Sequence, residues 1–267
     1  MLNRIFNIAL VLAVIAISDW YAGAVEAQDF VTDGLIGFWT LDKSDIEGGT
    51  VKDVFGGNDG TIKGDPKTAE GRIEEGMEFD GTEDRVEISK DLMVGLESFT
   101  IECWFSYENS ANWRWMVGGG PQWNYGLGMC IYSGSNIVRY HLKTDKGSFY
   151  TGDGKTTLTP GEWYHIAYTY DGKTAKSYVE GEVDFEQPLT GVVQIDPTTL
   201  AIGAGYWNNN EYFVGIIDEV RIYDRALTED EVTRNYEVKS NSLAVDAAEK
   251  LYETWGNIKA SRRRRVS

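Results

Sequence analysis

The feature that most constrains this chain is a rhythm of short apolar segments, separated by Gly, Asp and Asn, that runs from residue 30 to about residue 225. Phe99–Tyr107 shows it best, because apolar and polar side chains alternate there with a period of two. That period is typical of a β-strand, whose successive side chains point to opposite faces. Many strands with almost no helix indicate a β-sandwich or a β-barrel. The other predicted strands are 136–142, 163–170, 177–179, 183–185, 198–202 and 216–223.

One short helix is well signalled, and it follows the last strand. Thr228 and Glu231 have the spacing of a capping box. In that motif the Thr hydroxyl accepts from the amide of the Glu, and the Glu carboxylate accepts from the amide of the Thr. We therefore predict a helix that begins after Thr228 and ends near Tyr236.

Composition narrows the classes of partner. The formal net charge is −17, and aromatic residues make up 13% of the chain. The aromatic content is typical of a packed core and not of a disordered chain. The negative charge argues against binding to nucleic acid or anionic lipid, because both need Lys and Arg to neutralise phosphate. It suits a cation or a neutral ligand, and it equally suits plain solubility.

The N-terminal residues have the pattern of a secretion signal. Arg4 precedes an apolar run from Ile5 to Ile17, and small residues follow as far as Ala27. We predict a signal peptide at 1–27, with an N-terminal membrane anchor as the alternative. No later apolar run approaches about 20 residues. The mature chain is therefore expected to lie outside the cytoplasm (in the periplasm, at the cell surface or free in the medium) without inserting into a membrane.

The remaining residues divide into one domain and a tail. Residues 28–238 carry the strands and the predicted helix, whereas 239–267 differ in composition. The tail has apolar residues at helical spacing and then the basic run Arg262–Arg265. Such a run is most simply a solvated end, with attachment to a partner as the alternative.

Cys103 and Cys130 are the two cysteines of the chain. The sequence has no C-x-x-C motif and no Cys/His cluster, which argues against a zinc site. A compartment outside the cytoplasm permits a disulfide between the two. Two free buried thiols are the alternative, and spacing cannot decide because a disulfide needs Cα atoms within about 7 Å.

Several segments, taken in order, resemble the LamG-like jelly-roll domains of the concanavalin A-like superfamily. The resemblance covers about residues 30–237 and implies an all-β, two-sheet antiparallel jelly-roll sandwich with one short C-terminal helix. Members of this family often bind carbohydrate or protein, which leaves the ligand open. The matching pieces are Asp33–Trp39, Asp53–Gly60, Met77–Gly81, Val86–Ile88, Ser98–Trp104, Trp163–Ala167, Tyr170–Gly172, Tyr178–Gly181, Gly215–Tyr223 and Arg225–Glu231.

The same resemblance implies a structural calcium ion, because LamG-like domains often hold one near such loops. Asp218 has the parity of the apolar residues around it, so we expect it to point into the sandwich, where an unpaired carboxylate is costly. The loop from Asp53 to Asn58 offers the oxygen ligands that calcium prefers. The predicted ligands are Asp53, Asn58 and Asp218. Alternatively, Asp218 accepts backbone amides, and the other two cap turns.

Two segments rich in aromatic residues, Asn and Gly predict a carbohydrate platform. They are 112–125 and 206–212. Sugars stack their C–H faces on aromatic rings, while amides and carboxylates bond their hydroxyls. Trp113 and Trp115 are secondary candidates, and the alternative is that these rings fill the core. The principal candidates are Trp123, Tyr125, Tyr206, Trp207, Asn208 and Asn209.

Glu182, Asp184 and Glu186 have the E-x-D-x-E spacing of laminarinase-type glycosidases, which share this general fold. Residues four apart on a strand are about 13 Å apart, whereas a retaining glycosidase needs carboxyl groups about 5–5.5 Å apart. We expect Val183 and Phe185 to face the core and the three acids to face water. This segment is therefore predicted to be non-catalytic.

These features together predict a secreted binding module that is not an enzyme. Its expected ligand is a carbohydrate, bound by aromatic stacking and hydrogen bonds, with calcium as a structural cofactor. A module for binding a surface protein is the alternative. A glucanase that uses Glu182 and Glu186 is the less favoured alternative.

Overall fold

In the computed structural model, the described residues are 30–93, 95–119, 126–147, 150–194, 200–205 and 211–238. The predicted signal peptide and the tail after residue 238 lie outside them. The helix α1 is Glu229–Glu237. The strands are β1 Leu35–Trp39, β2 Ile46–Glu47, β3 Thr50–Val51, β4 Gly60–Lys63, β5 Lys67–Glu70, β6 Glu75–Asp80, β7 Arg85–Ile88, β8 Phe99–Tyr107, β9 Arg114–Gly119, β10 Leu127–Ile131, β11 Val138–Leu142, β12 Tyr150–Asp153, β13 Trp163–Tyr170, β14 Thr174–Val179, β15 Glu182–Pro188, β16 Leu200–Ile202 and β17 Val214–Tyr223.

The strands pair antiparallel in two sheets. Sheet A has the order β15-β14-β13-β8-β17-β6-β5, with β1 beside the second half of β17. Sheet B has the order β12-β11-β10-β9-β16-β7-β4-β3-β2. Many neighbours in each sheet are distant in sequence, as in a jelly roll. The predicted fold class is therefore confirmed.

Strand β8 shows how the core forms. Its side chains from Phe99 to Tyr107 at every second position are buried between the two sheets, as their alternation predicts. The opposite side of β8 is also buried, including Glu102 and Trp104. A second apolar cluster lies on that outer side of sheet A and includes Phe30 and Val232. Sheet A is therefore covered on both faces, which alternation within one strand does not reveal.

Helix α1 begins with the predicted capping box. The Thr228 hydroxyl accepts from the amide of Glu231 at 3.3 Å, and the Glu231 carboxylate accepts from the amide of Thr228 at 2.9 Å. Arg225 also donates to this carboxylate at 2.7 and 2.8 Å. The hydrogen bonds from Arg225 lower the pKa of Glu231 to about 2.

A bulge in β17 overturns the expected orientation of Asp218. Strand β17 pairs with β6 as far as Ile217 and with β1 from Val220 onward. Glu219, between them, has a φ of 55°. Ile217 and Val220 both belong to the core between the sheets. The extra residue therefore leaves Asp218 on the opposite face, because a bulge breaks the alternation from which its parity was predicted.

The two cysteines are free thiols, and both are buried. Cys103 lies in the core between the sheets. Cys130 lies in sheet B and faces away from that core, and its thiol donates to the carbonyl of Arg139 at 3.6 Å. The disulfide alternative is therefore not realised in this structure, because the two thiols belong to different faces of different sheets.

Candidate functional site

Sheet B has an outer face, turned away from the core, where four strands bring a row of larger side chains together. The register of β9 to β12 places Trp115, Cys130, Arg139 and Asp153 side by side. Residues paired directly across antiparallel strands share one face of the sheet. The row therefore extends across the outer face from the indole of Trp115 to the charged side chains of Arg139 and Asp153.

A neighbouring row consists of small residues. Ala201, Gly118 and Gly128 lie side by side across β16, β9 and β10, and His141 ends the row on β11. A Cβ atom on Gly118 would lie 2.7 Å from Cε3 of Trp115, and one on Gly128 would lie 2.8 Å from its Cζ3. The small residues thus leave a floor on which the indole of Trp115 lies.

Four rings follow one another along this face. The ring centroids of Trp115 and His141 are 5.0 Å apart, those of His141 and Trp113 are 6.0 Å apart, and those of Trp113 and Tyr132 are 5.0 Å apart. We call these four residues the aromatic strip. Trp115 is 7% exposed, whereas Trp113 and Tyr132 are half-buried. Trp113 and Tyr132 therefore keep surface that a ligand can reach.

An ion pair lies beside the exposed end of the aromatic strip. Arg139 donates to Asp153 through Nε at 2.5 Å and through a terminal nitrogen at 2.8 Å. The guanidinium carbon of Arg139 lies 3.6 Å from the ring centroid of Tyr132 and 5.2 Å from that of Trp113. Two hydrogen bonds and two rings therefore hold the guanidinium in one orientation.

The buried end of the strip carries no positive charge at neutral pH. Burial, together with the charge of Arg139, lowers the pKa of His141 to about 3. The indole Nε1 of Trp115 donates to the Glu211 carboxylate at 2.8 Å. Burial raises the pKa of Glu211, and the hydrogen bond from Trp115 opposes that rise.

The principal residues predicted for the platform lie outside the described part of the chain. Among the described residues that flank these principal residues, Gly119 pairs with Leu127, and Gly205 lies against Trp115. The principal residues concerned are Trp123, Tyr125, Tyr206, Trp207, Asn208 and Asn209.

Sequence reasoning missed half of the aromatic strip and its ion pair. Arg139 and His141 alternate with the core residues of β11, and this period of two is the signal that could have found them. Tyr132 and Asp153 carry no such signal, because only the pairing of β10, β11 and β12 brings them beside Arg139. Trp113 and Trp115, the secondary candidates, both belong to the strip.

Two of the predicted calcium ligands, Asp53 and Asn58, make hydrogen bonds to other groups of the protein. The Asp53 carboxylate accepts from the backbone amides of Phe38, Phe55, Gly56 and Asn58 at 2.8–3.0 Å. The Asn58 side chain donates to Asp53 at 3.1 Å and to the carbonyl of Ile36 at 3.0 Å. Both oxygens of the Asp53 carboxylate therefore accept hydrogen bonds from the protein.

Asp218, the third predicted ligand, contacts a different loop. One carboxylate oxygen accepts from the amides of Arg72 and Ile73 at 2.8 and 2.9 Å. The other oxygen is buried and has no hydrogen-bond donor within the described residues. In the same part of the chain, no three carboxylate, imidazole or thiol groups converge on a point that could hold a metal ion. The contacts therefore leave Asp218 as the best-placed candidate of the three.

The carboxylates of the E-x-D-x-E segment do not form one row. Glu182 and Glu186 are exposed, and Glu186 lies 3.6 Å from Lys176. Asp184 is buried, and it accepts from the amides of Lys155 and Thr156 at 3.0 and 2.8 Å. The expected orientation is therefore wrong for Asp184, because the register of β14 with β15 shifts at this residue.

The expected orientation is also wrong for Val183, the residue before Asp184. It is 40% exposed, although the alternation predicted that it would face the core.

A groove of about 540 Å³ lies on the outer face of sheet A, between β13, β14 and the start of α1. Lys176 in this groove pairs with Glu229 at 3.1 Å, and Tyr178 is buried. The groove therefore offers charged groups but little aromatic surface.

Comparison with known proteins agrees with this fold. Pappalysin-1 of Mus musculus is 26% identical over 203 residues, and pappalysin-1 of Homo sapiens is 25% identical over the same length. Each alignment covers 68% of this chain but 12% of the relative. Among the helices of the described residues, none has the length and apolarity needed to cross a membrane.

Solved structures show the same sandwich at low identity. Domain 4 of AbnA, an extracellular GH43 arabinanase of Geobacillus stearothermophilus solved with arabinotriose, has a TM-score of 0.60 and 22% identity, covering 76% of this chain and 98% of that one. The binding domain of Paraclostridial Mosquitocidal Protein 1 has a TM-score of 0.60 and 16% identity, covering 76% and 52%. A laminin G family model, described as Concanavalin A-like lectin/glucanases superfamily, matches residues 80–233, more than half of the chain. The chain belongs to this laminin G family.

Proposed function

We propose that this protein is a secreted, non-catalytic module that binds carbohydrate on the outer face of sheet B. The observation that carries the proposal is the aromatic strip beside the Arg139–Asp153 pair. Half-buried rings offer stacking surface for sugar C–H groups, and a fixed guanidinium and carboxylate offer donors and acceptors for sugar hydroxyls. The extracellular arabinanase domain solved with arabinotriose supports the class of ligand and the compartment.

A glycan array tests the proposal, with purified wild-type protein and the double variant Trp113→Ala, Tyr132→Ala. We expect the wild type to bind at least one family of oligosaccharides and the double variant to lose that signal, because stacking needs both half-buried rings. Tyr236→Ala is the matched control, since Tyr236 is also half-buried and stacks on Trp104, but on the outer face of sheet A. Equal binding by all three proteins would contradict the site.

Protein binding is the second candidate function, and the groove on sheet A favours it. Charged groups such as Lys176 and Glu229 suit recognition of another protein's surface better than sugar stacking. Lys176→Ala would then weaken partner binding while glycan binding stays unchanged. The Trp113→Ala, Tyr132→Ala variant would show the reverse pattern if the carbohydrate proposal holds.

A structural calcium ion belongs to the proposal, with Asp218 as its best-supported ligand. At a free concentration of 100 times the dissociation constant, such an ion adds about 2.7 kcal/mol to the free energy of unfolding. We expect calcium to raise the unfolding midpoint above that in chelator, and Asp218→Asn to abolish the difference. Differential scanning calorimetry measures both midpoints.

Asp53→Asn is the control for the calcium measurement. Because Asp53 accepts four backbone amides, its replacement should lower the midpoint by the same amount with calcium and with chelator. An equal midpoint for wild type in both buffers would remove calcium from the proposal and leave the carbohydrate site untouched.

A further inference from the structure

We infer that the aromatic strip selects uncharged glycans, and that Asp153 is the residue that sets this selectivity. The inference rests on the proposed function and names the class of sugar that the site takes. Among the described residues, the cation in contact with the strip is Arg139, which lies over Tyr132 and Trp113. An anionic sugar bound there would need this guanidinium to neutralise its charge.

The guanidinium is already committed to a carboxylate. Arg139 makes two hydrogen bonds to Asp153, and the two residues lie directly opposite each other on β11 and β12. Their side chains are 18% and 31% exposed, so the pair is shielded but can be reached from solvent. A sugar carboxylate would have to displace Asp153 or lie beside it, and like charges at short range repel.

Other charges near the strip also disfavour an anion. His141 stays neutral because its pKa is about 3. Glu211, which holds the indole of Trp115, is an acid. Arg114 lies close in sequence to both tryptophans, but it donates to the carbonyl of Tyr212 at 3.1 Å and to the side chain of Asn109 at 3.0 Å. The net charge of −17 adds a long-range repulsion of the same sign.

A neutral sugar makes different demands. Its hydroxyls both donate and accept, so they can bond to the outer edges of an Arg–Asp pair without separating it. The rings of Trp113 and Tyr132 are tilted at 52° to each other, and their surface that Arg139 does not cover stays available for the C–H face of the sugar. The intact pair therefore serves an uncharged ligand and excludes a charged one.

Asp153→Asn tests the inference, because it keeps the shape of the side chain and releases the charge of Arg139. The probes are pairs of oligosaccharides that differ only in oxidation at C6. One pair contains galactose or galacturonic acid, and the other contains glucose or glucuronic acid. We expect the wild type to bind a neutral member at least tenfold more tightly than its acidic partner. In Asp153→Asn that preference should shrink at least tenfold, and binding of the acidic member should weaken with added salt.

Two controls separate the local charge from general effects. Glu87→Gln removes one negative charge from the same face of sheet B, in β7, five strand spacings or about 24 Å from Asp153. It should leave the preference unchanged. The double variant Arg139→Gln, Asp153→Asn should restore the neutral preference, and circular dichroism of each variant verifies folding.

The outcomes distinguish this inference from the function on which it rests. Wild-type preference for the acidic members, or an unchanged preference in folded Asp153→Asn, would overturn the selectivity while leaving carbohydrate binding in place. Binding of no glycan of either class, neutral or acidic, would overturn the proposed function and the inference with it.

Discussion

Replacing Arg221 with Met is expected to lower the free energy of unfolding by about 3–5 kcal/mol. Arg221 is buried on the outer side of sheet A, where it pairs with Glu219 and lies 3.3 Å from Glu102. Removal of the guanidinium leaves two carboxylates buried without their cation, which costs more than the pair itself contributes. Urea denaturation of wild type and variant measures the difference.

The loss should depend on pH. Burial raises the pKa of Glu102 above its ordinary value of 4.5, and the charge of Arg221 opposes that rise. In Arg221→Met the folded-state pKa is therefore higher still. A raised carboxyl pKa costs nothing below the unfolded-state pKa, and the cost grows as pH rises from there until it is complete above the folded-state pKa. The variant should thus be closer to wild type at pH 5 than at pH 8.

Arg225→Met is the matched control for Arg221→Met. Arg225 also pairs with a glutamate, Glu231, but its side chain is 26% exposed. Solvent screening limits such a pair to about 1 kcal/mol or less. Equal losses in the two variants would show that the buried cluster is not what makes Arg221 important.

The second large effect is expected from Trp115. Trp115→Ala should weaken binding of the glycan identified on the array about 30-fold, since loss of an aromatic anchor costs about 2 kcal/mol or more. The indole supports the strip from its buried end, where it contacts His141. Isothermal titration calorimetry gives the dissociation constants.

Trp115→Phe separates the ring from its hydrogen bond. A phenyl ring keeps the contact with the floor at Gly118 and Gly128 but cannot donate to Glu211. We expect a loss of affinity smaller than that of Trp115→Ala. If Trp115→Ala unfolds at the same midpoint as wild type and binds the glycan equally well, the strip is not the binding site.

Local sequence patterns predicted some features of this structure correctly and failed for others. Alternation in β8 and the capping box at Thr228 depend on neighbours within a few residues, so they were predicted correctly from the sequence. Alternation failed for Asp218 and Asp184, because each lies at an irregularity in strand pairing. A bulge is decided by the partner strands, and no local pattern carries that information.

Local sequence patterns by themselves determined the all-β class, the positions of many strands and helix α1. These follow from periodicity and turn residues, which act over short distances along the chain. Only the tertiary structure decided which side chains meet. Strand register brings Arg139 to Asp153 across 14 positions, and Arg221 to Glu102 across 119. Contacts of that length depend on the packing of whole sheets, so the candidate binding face and the buried ion cluster became visible only in the folded chain.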